Sequence, residues 1–107
     1  MKKPPVDKID TLLADLWRKN LPTLRERLDL LEVIASSASS GTIPPDSRDE
    51  AISIAHKLSG SLGMFGYQQG TEIAAKIERI LKAALPEDLA TLPDLTADLR
   101  RSLPTVL

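Results

Sequence analysis

The 107-residue chain contains no cysteine. That excludes a disulfide framework, a thiolate metal site and a cysteine nucleophile, and it fits a reducing compartment. Aromatic residues are scarce, with one Trp, one Tyr and one Phe. A stacking platform for nucleobases is therefore not available. No stretch approaches the roughly 20 apolar residues of a membrane span. The opening MKKPPVDKID has two lysines with no apolar run behind them, so it does not read as a secretory signal. The expected location is the cytoplasm. Neither sign of charge is in excess: 14 basic residues face 15 acidic ones, well mixed along the chain. This argues against a nucleic-acid binder and suits a solvated helical surface. Valine occurs only at positions 6, 33 and 106, so few segments favour strands.

What is abundant is Leu and Ala at helical spacing. The length suits one domain, residues 1–107. Ile9, Leu12, Leu13, Leu16 and Trp17, then Leu24, Leu28, Leu31 and Ile34, recur at steps of three and four. Pro22 interrupts this run. The spacing favours a short helix over 6–19 and a longer one over 21–37, with a single kinked helix as the alternative. Residues 36–47, SSASSGTIPPDS, read as a loop. Ser47 and Glu50 have capping-box spacing, which starts a helix near Ser47 and carries it to about Phe65. Gly66 supplies a C-cap, and a further helix runs from Gln68 to Leu85, ahead of Pro86. Thr91 caps a last helix over 92–103, and residues 104–107 are expected to fray. The fold class is all-α: an antiparallel four-helix bundle, with or without a short extra N-terminal helix.

His56 is the only histidine. On a helical projection centred on Leu58, the residues Ala51, Ile54, Ala55, Ser61, Leu62 and Phe65 lie within about 60°, and His56 lies roughly 160° away. Its neighbours on that side are Asp49, Ser53, Gly60 and Gly63, flanked by Ile52, Ser59 and Met64. Glycine inside a helix costs about 1 kcal/mol relative to alanine. Two of them there suggest close approach of another protein, or close packing of a neighbouring helix. Met64, Phe65 and Tyr67 fit core filling near the turn, while exposed parts of Ile52 and Met64 could form an apolar contact rim. Ser61 falls on the core side.

An exposed imidazole has a large neutral fraction near physiological pH, with a free lone pair. It can attack a phosphoryl group and form a covalent intermediate. Such transfer needs positioning and charge stabilisation; if the partner brings Mg²⁺ and an acidic pocket, this chain need only present the nucleophile. If residues 66–67 form the turn of an antiparallel hairpin, Glu78 falls opposite His56. A carboxylate there would fix the ring tautomer and leave the other nitrogen nucleophilic. A metal site is not expected with a single histidine and no cysteine.

The stretch AHKLSGSLGMFGY, residues 55–67, resembles the signature of histidine-containing phosphotransfer (HPt) domains: His56, Leu58, Ser59, Gly60, Ser61 and Gly66 match its spaced positions. Glu78 sits where family members carry a Glu or Gln on the next helix. The detailed resemblance covers residues 47–82. It implies a four-helix bundle core, phosphorylation at His56, and docking to response-regulator receiver domains and hybrid histidine kinases. The expected roles are His56 as phosphoacceptor, Glu78 as its orienting partner, and Ile52, Ser53, Lys57, Ser59, Gly60, Gly63 and Met64 as the docking face. Mg²⁺ would sit on the partner receiver domain, and the chain would act as a monomer and carry no kinase ATP site. One departure stands out. Many members carry lysine where this chain has Ser59, and Lys57, Lys82 or the Ser59 hydroxyl could take its place. The competing readings are a fragment of a histidine kinase, disfavoured by the absence of a glycine-rich nucleotide segment, and a plain helical adaptor in which His56 is incidental.

Overall fold

The computed structural model describes the backbone of residues 5–107 and the side chains from Thr11 onward. The Ile9 side chain, part of the expected N-terminal pattern, lies outside the described residues. The described elements are all helical: α1 (Pro5–Ser37), α2 (Pro45–Met64), α3 (Gln68–Ala83), the single turn α4 (Pro86–Leu89) and α5 (Leu92–Arg101). Helix α1 packs on α2, α2 on α3, α3 on α5 and α5 back on α1, which closes a four-helix ring. The expected four-helix bundle is therefore present. Its interior is aliphatic, with Leu24, Leu28, Leu31, Leu58, Leu62, Ile77, Leu81, Leu92 and Leu99 fully buried. Each such side chain contributes about 2 kcal/mol over leaving it in water.

Helix α1 differs from the two-helix reading. It is continuous for 33 residues, with Pro22 inside it, and so spans about 50 Å. The proline leaves the Arg18 carbonyl without its helical donor, but Leu24, Leu28 and Leu31 on the following turns are buried and hold the helix to the bundle. Among the described residues no separate N-terminal helix forms. Trp17 packs edge-on to Phe65 (5.1 Å between centroids) and against Tyr67 (4.9 Å), so α1 reaches the α2–α3 turn there. Residues before Trp17 have run past that turn, which is why Leu12 and Leu16 are exposed despite their helical spacing.

The start of α2 also differs. The helix begins at Pro45 behind Pro44, with no side-chain cap, so the Ser47–Glu50 capping box does not form. Proline at the first helical position has φ preset and no N–H to satisfy, and it starts the helix two residues early. At the other end the expectation holds in detail. The Tyr67 N–H bonds the Leu62 carbonyl at 2.9 Å and the Gly66 N–H bonds that of Gly63 at 3.1 Å, with Gly66 at φ +84°. This is a Schellman turn, whose left-handed residue is best filled by glycine. Helix α3 stops at Ala83, short of Leu85, with Ala84 as its left-handed cap. Thr91 stands at the N-terminal end of α5 but makes no side-chain cap, because its hydroxyl instead bonds the Asp88 carbonyl behind it. The C-terminal residues, expected to fray, contact the bundle at two points. Arg25 donates to the Val106 carbonyl at 2.7 Å, and Arg100 binds the Leu107 carbonyl.

Candidate functional site

The Schellman turn sets the register of the α2–α3 hairpin, and that register sets the site. Two cross-bonds pin it midway: the Thr71 hydroxyl donates to the Ser59 carbonyl at 3.0 Å, and the Ser59 hydroxyl to the Thr71 carbonyl at 3.3 Å. Two turns further along α3, Glu78 stands opposite His56. The Nδ1 of His56 is 3.2 and 3.3 Å from the two Glu78 carboxylate oxygens. A carboxylate can only accept, so Nδ1 carries the proton, and in the neutral form of the ring the lone pair lies on Nε2.

The two side chains are unequally exposed, at 75% for His56 and 15% for Glu78. The ring stands in solvent while its anchor is held in the seam. Lys82 Nζ sits 2.9 Å from Glu78 Oε2. Its hydrogen bond is the main reason the Glu78 carboxyl lies below its ordinary range; partial burial works the other way, and His56 adds a smaller lowering. Glu78 is therefore ionised at neutral pH. Lys82, one of the candidates to replace the missing lysine, is committed to Glu78. So is the second candidate elsewhere: the half-buried Ser59 hydroxyl is turned into the α2–α3 seam rather than towards His56.

The expected docking face separates into parts. Ser53, Lys57, Gly60, Gly63 and Met64 are exposed. Ile52 is half-buried and packs on the core, leaving only its edge available. The two glycines have different reasons. A methyl on Gly63 would come within 3.2 Å of the Thr71 hydroxyl, so its small size serves close packing of α2 on α3. A methyl on Gly60 would meet nothing within 4 Å. Ser61, expected in the core, is only half-buried and lies at the edge of an open groove beside His56. That groove is lined by His56, Lys57, Gly60, Ser61, Met64 and, from α1, Arg27.

Arg27 and Thr71 were not among the expected site residues. Thr71 could be found only from its register opposite Ser59. Arg27 required knowing how α1 lies against α2, which local patterning does not carry. Among the described residues no cluster of His, Asp or Glu gathers as metal ligands, and no described helix is long and apolar enough to cross a membrane.

An exposed imidazole, held by a carboxylate on the neighbouring helix of a four-helix bundle, defines a histidine-presenting signalling module. The family model for the Hpt domain matches residues 12–103, and the chain belongs to that family. This places it with the phosphorelay proteins of two-component signalling. The chain is also 29% identical over 66 residues to Protein RcaC of Microchaete diplosiphon, a stretch covering 62% of this chain and 10% of that protein. The matched stretch thus spans about a tenth of that relative's length. No solved structure matches it.

Proposed function

We propose that the chain accepts a phosphoryl group on His56 Nε2 from the aspartyl phosphate of a receiver domain or hybrid histidine kinase, and passes it to a response-regulator aspartate. The observation that carries this reading is the exposed His56 ring with Nδ1–H bonded to the ionised Glu78 carboxylate. The lone pair of Nε2 attacks phosphorus, the P–N bond forms, and the P–O bond to the donor aspartate breaks with its carboxylate leaving. The ring gains positive character as it forms the P–N bond. Glu78 stabilises that charge through the Nδ1–H bond, and in the return step the same protonated ring is the better leaving group. Gly60 leaves the helix surface below the ring bare, so the partner's pocket can close around the phosphoryl group. Mg²⁺ and the acidic pocket belong to the partner. The chain is a carrier without an ATP site, acting as a monomer in the cytoplasm.

The test is transfer from a phosphorylated receiver domain in the presence of Mg²⁺, scored as acid-labile phosphate, with His56→Gln alongside. Label on the parent and none on the variant is the expected outcome. A parent that stays unlabelled with several receivers, or a variant that labels equally, would overturn the assignment.

A further inference from the structure

The phosphoryl group on His56 would carry about two negative charges at neutral pH. Of the groups first considered to meet that charge, Ser59 is bonded to the Thr71 carbonyl and Lys82 to Glu78. Two cations remain on the groove that holds His56: Lys57 from α2 and Arg27 from α1. Among the described residues neither has a hydrogen-bonded acid partner. They differ in setting. Lys57 is exposed, whereas Arg27 is half-buried.

The placement of Arg27 follows from the α1–α2 packing. Leu24, Leu28 and Leu31 form the buried stripe of α1, and Arg27 lies roughly 60° from its centre, at the edge facing α2. The antiparallel register that brings Trp17 to Phe65 brings Arg27 to the level of His56. A half-buried stem loses less freedom when its head is fixed, and the planar guanidinium can bind two phosphoryl oxygens at once. A partner approaching over Gly60 would further exclude water from the groove and strengthen that attraction.

We infer that Arg27 of α1 is the residue that binds the phosphoryl oxygens on His56, taking over across the helix seam the role of the lysine that Ser59 replaces. This rests on His56 being the phosphoacceptor. In the step itself Arg27 neither gains nor loses a proton. It binds the equatorial oxygens while the P–N bond forms and the donor's bond breaks. It also favours the fully ionised phosphoryl group once formed. Lys57 adds a weaker, solvated charge.

The experiment uses phosphoramidate as a small phosphoryl donor, so that no protein partner is needed: the P–N bond of the donor breaks, ammonia leaves, and the His56 P–N bond forms. Parent, Arg27→Met, Arg27→Lys and Lys57→Met are followed by ³¹P NMR, with circular dichroism as a check on folding. Arg27→Met keeps an apolar stem for packing. Its labelling is expected to slow about tenfold, the low end for losing a hydrogen bond to a charged group, and the second phosphoryl ionisation of its phosphohistidine to move to higher pH. Arg27→Lys restores much of both, and Lys57→Met changes them less. Parent-like rates and titration in Arg27→Met would overturn the inference, as would equal impairment in Arg27→Met and Arg27→Lys, since charge would then not be the cause. A phosphohistidine absent even from the parent would instead remove the phosphoacceptor assignment.

Discussion

Gly60 and Gly63 lie three residues apart on one helix and predict opposite responses to the same substitution. Neither has a positive φ, so alanine fits the backbone at both. At Gly60 the new methyl meets nothing, and Gly60→Ala should stabilise the fold by about 1 kcal/mol. At Gly63 it meets the Thr71 hydroxyl at 3.2 Å. That hydroxyl is already held by the Ser59 carbonyl and cannot retreat without losing its bond, so Gly63→Ala should gain less or lose stability. Urea unfolding of both variants reads this difference, and equal gains would show that the Thr71 hydroxyl gives way to the methyl without losing its bond. Gly60→Gln should stay folded yet transfer phosphate more slowly from a receiver domain, because the longer side chain crowds the approach to His56. An unchanged rate would remove the close-approach argument.

Glu78 belongs to the same scale. Glu78→Ala should slow transfer without abolishing it, since Nε2 survives but its tautomer is no longer held. A folded variant that transfers at the parent rate would reduce Glu78 to a surface charge. Its lowered pKa also fixes a sign. A carboxyl with a folded-state value below its unfolded one stabilises above the ordinary carboxylate range, and that contribution disappears as pH falls through the folded value. The stability gap between parent and Glu78→Gln should accordingly be present at neutral pH and vanish in acid. A gap that widened on acidification would contradict the pairing.

At the scale of elements, α1 holds the clearest conflict between local preference and tertiary structure. Pro22 is exposed within a continuous helix. Pro22→Ala should restore the hydrogen bond to the Arg18 carbonyl and raise stability by up to about 3 kcal/mol; no gain in urea unfolding would place the compensation in the unfolded chain. The same helix explains what was readable beforehand. The α2–α3 hairpin was legible because a short turn with Gly66 at its left-handed position ties the two registers together, and Glu78 followed from counting back from the turn. Helix α1 joins α2 through residues 38–44, and nothing local in that connection states which turn of α1 faces which turn of α2. Trp17 beside Phe65 and Arg27 beside the His56 groove depend on that register, so Arg27 was beyond reach. Ser47 misled because two prolines just ahead of it begin the helix without needing a side-chain cap.

Over the whole molecule, one polar cluster, centred on Arg100, lies away from the chemistry. Arg100 on α5 reaches Asp29 at 2.7 Å and also binds Glu32, both on α1, and it holds the Leu107 carbonyl of the tail. Burial alone would lower its pKa, but the two carboxylates outweigh that and hold it above the ordinary arginine value. The guanidinium thus fastens the last helix and the tail to the first helix. In the ring α1–α2–α3–α5, this seam lies across the bundle from the α2–α3 seam that carries His56 and Glu78. Arg100→Met should therefore cost about 1 kcal/mol, because the exposed Asp29 and the partly exposed Glu32 return to water when the guanidinium is removed, and part of that cost should shrink in high salt as the Asp29 pairing is screened. Well below its melting temperature the same variant should accept phosphate on His56 at the parent rate. Thermal unfolding and the receiver-transfer assay, run on one preparation, separate the two effects. A transfer defect in a fully folded Arg100→Met protein would mean that the α1–α5 seam sets the position of α1 at the His56 groove, and that stability and phosphotransfer share a contact through Arg27.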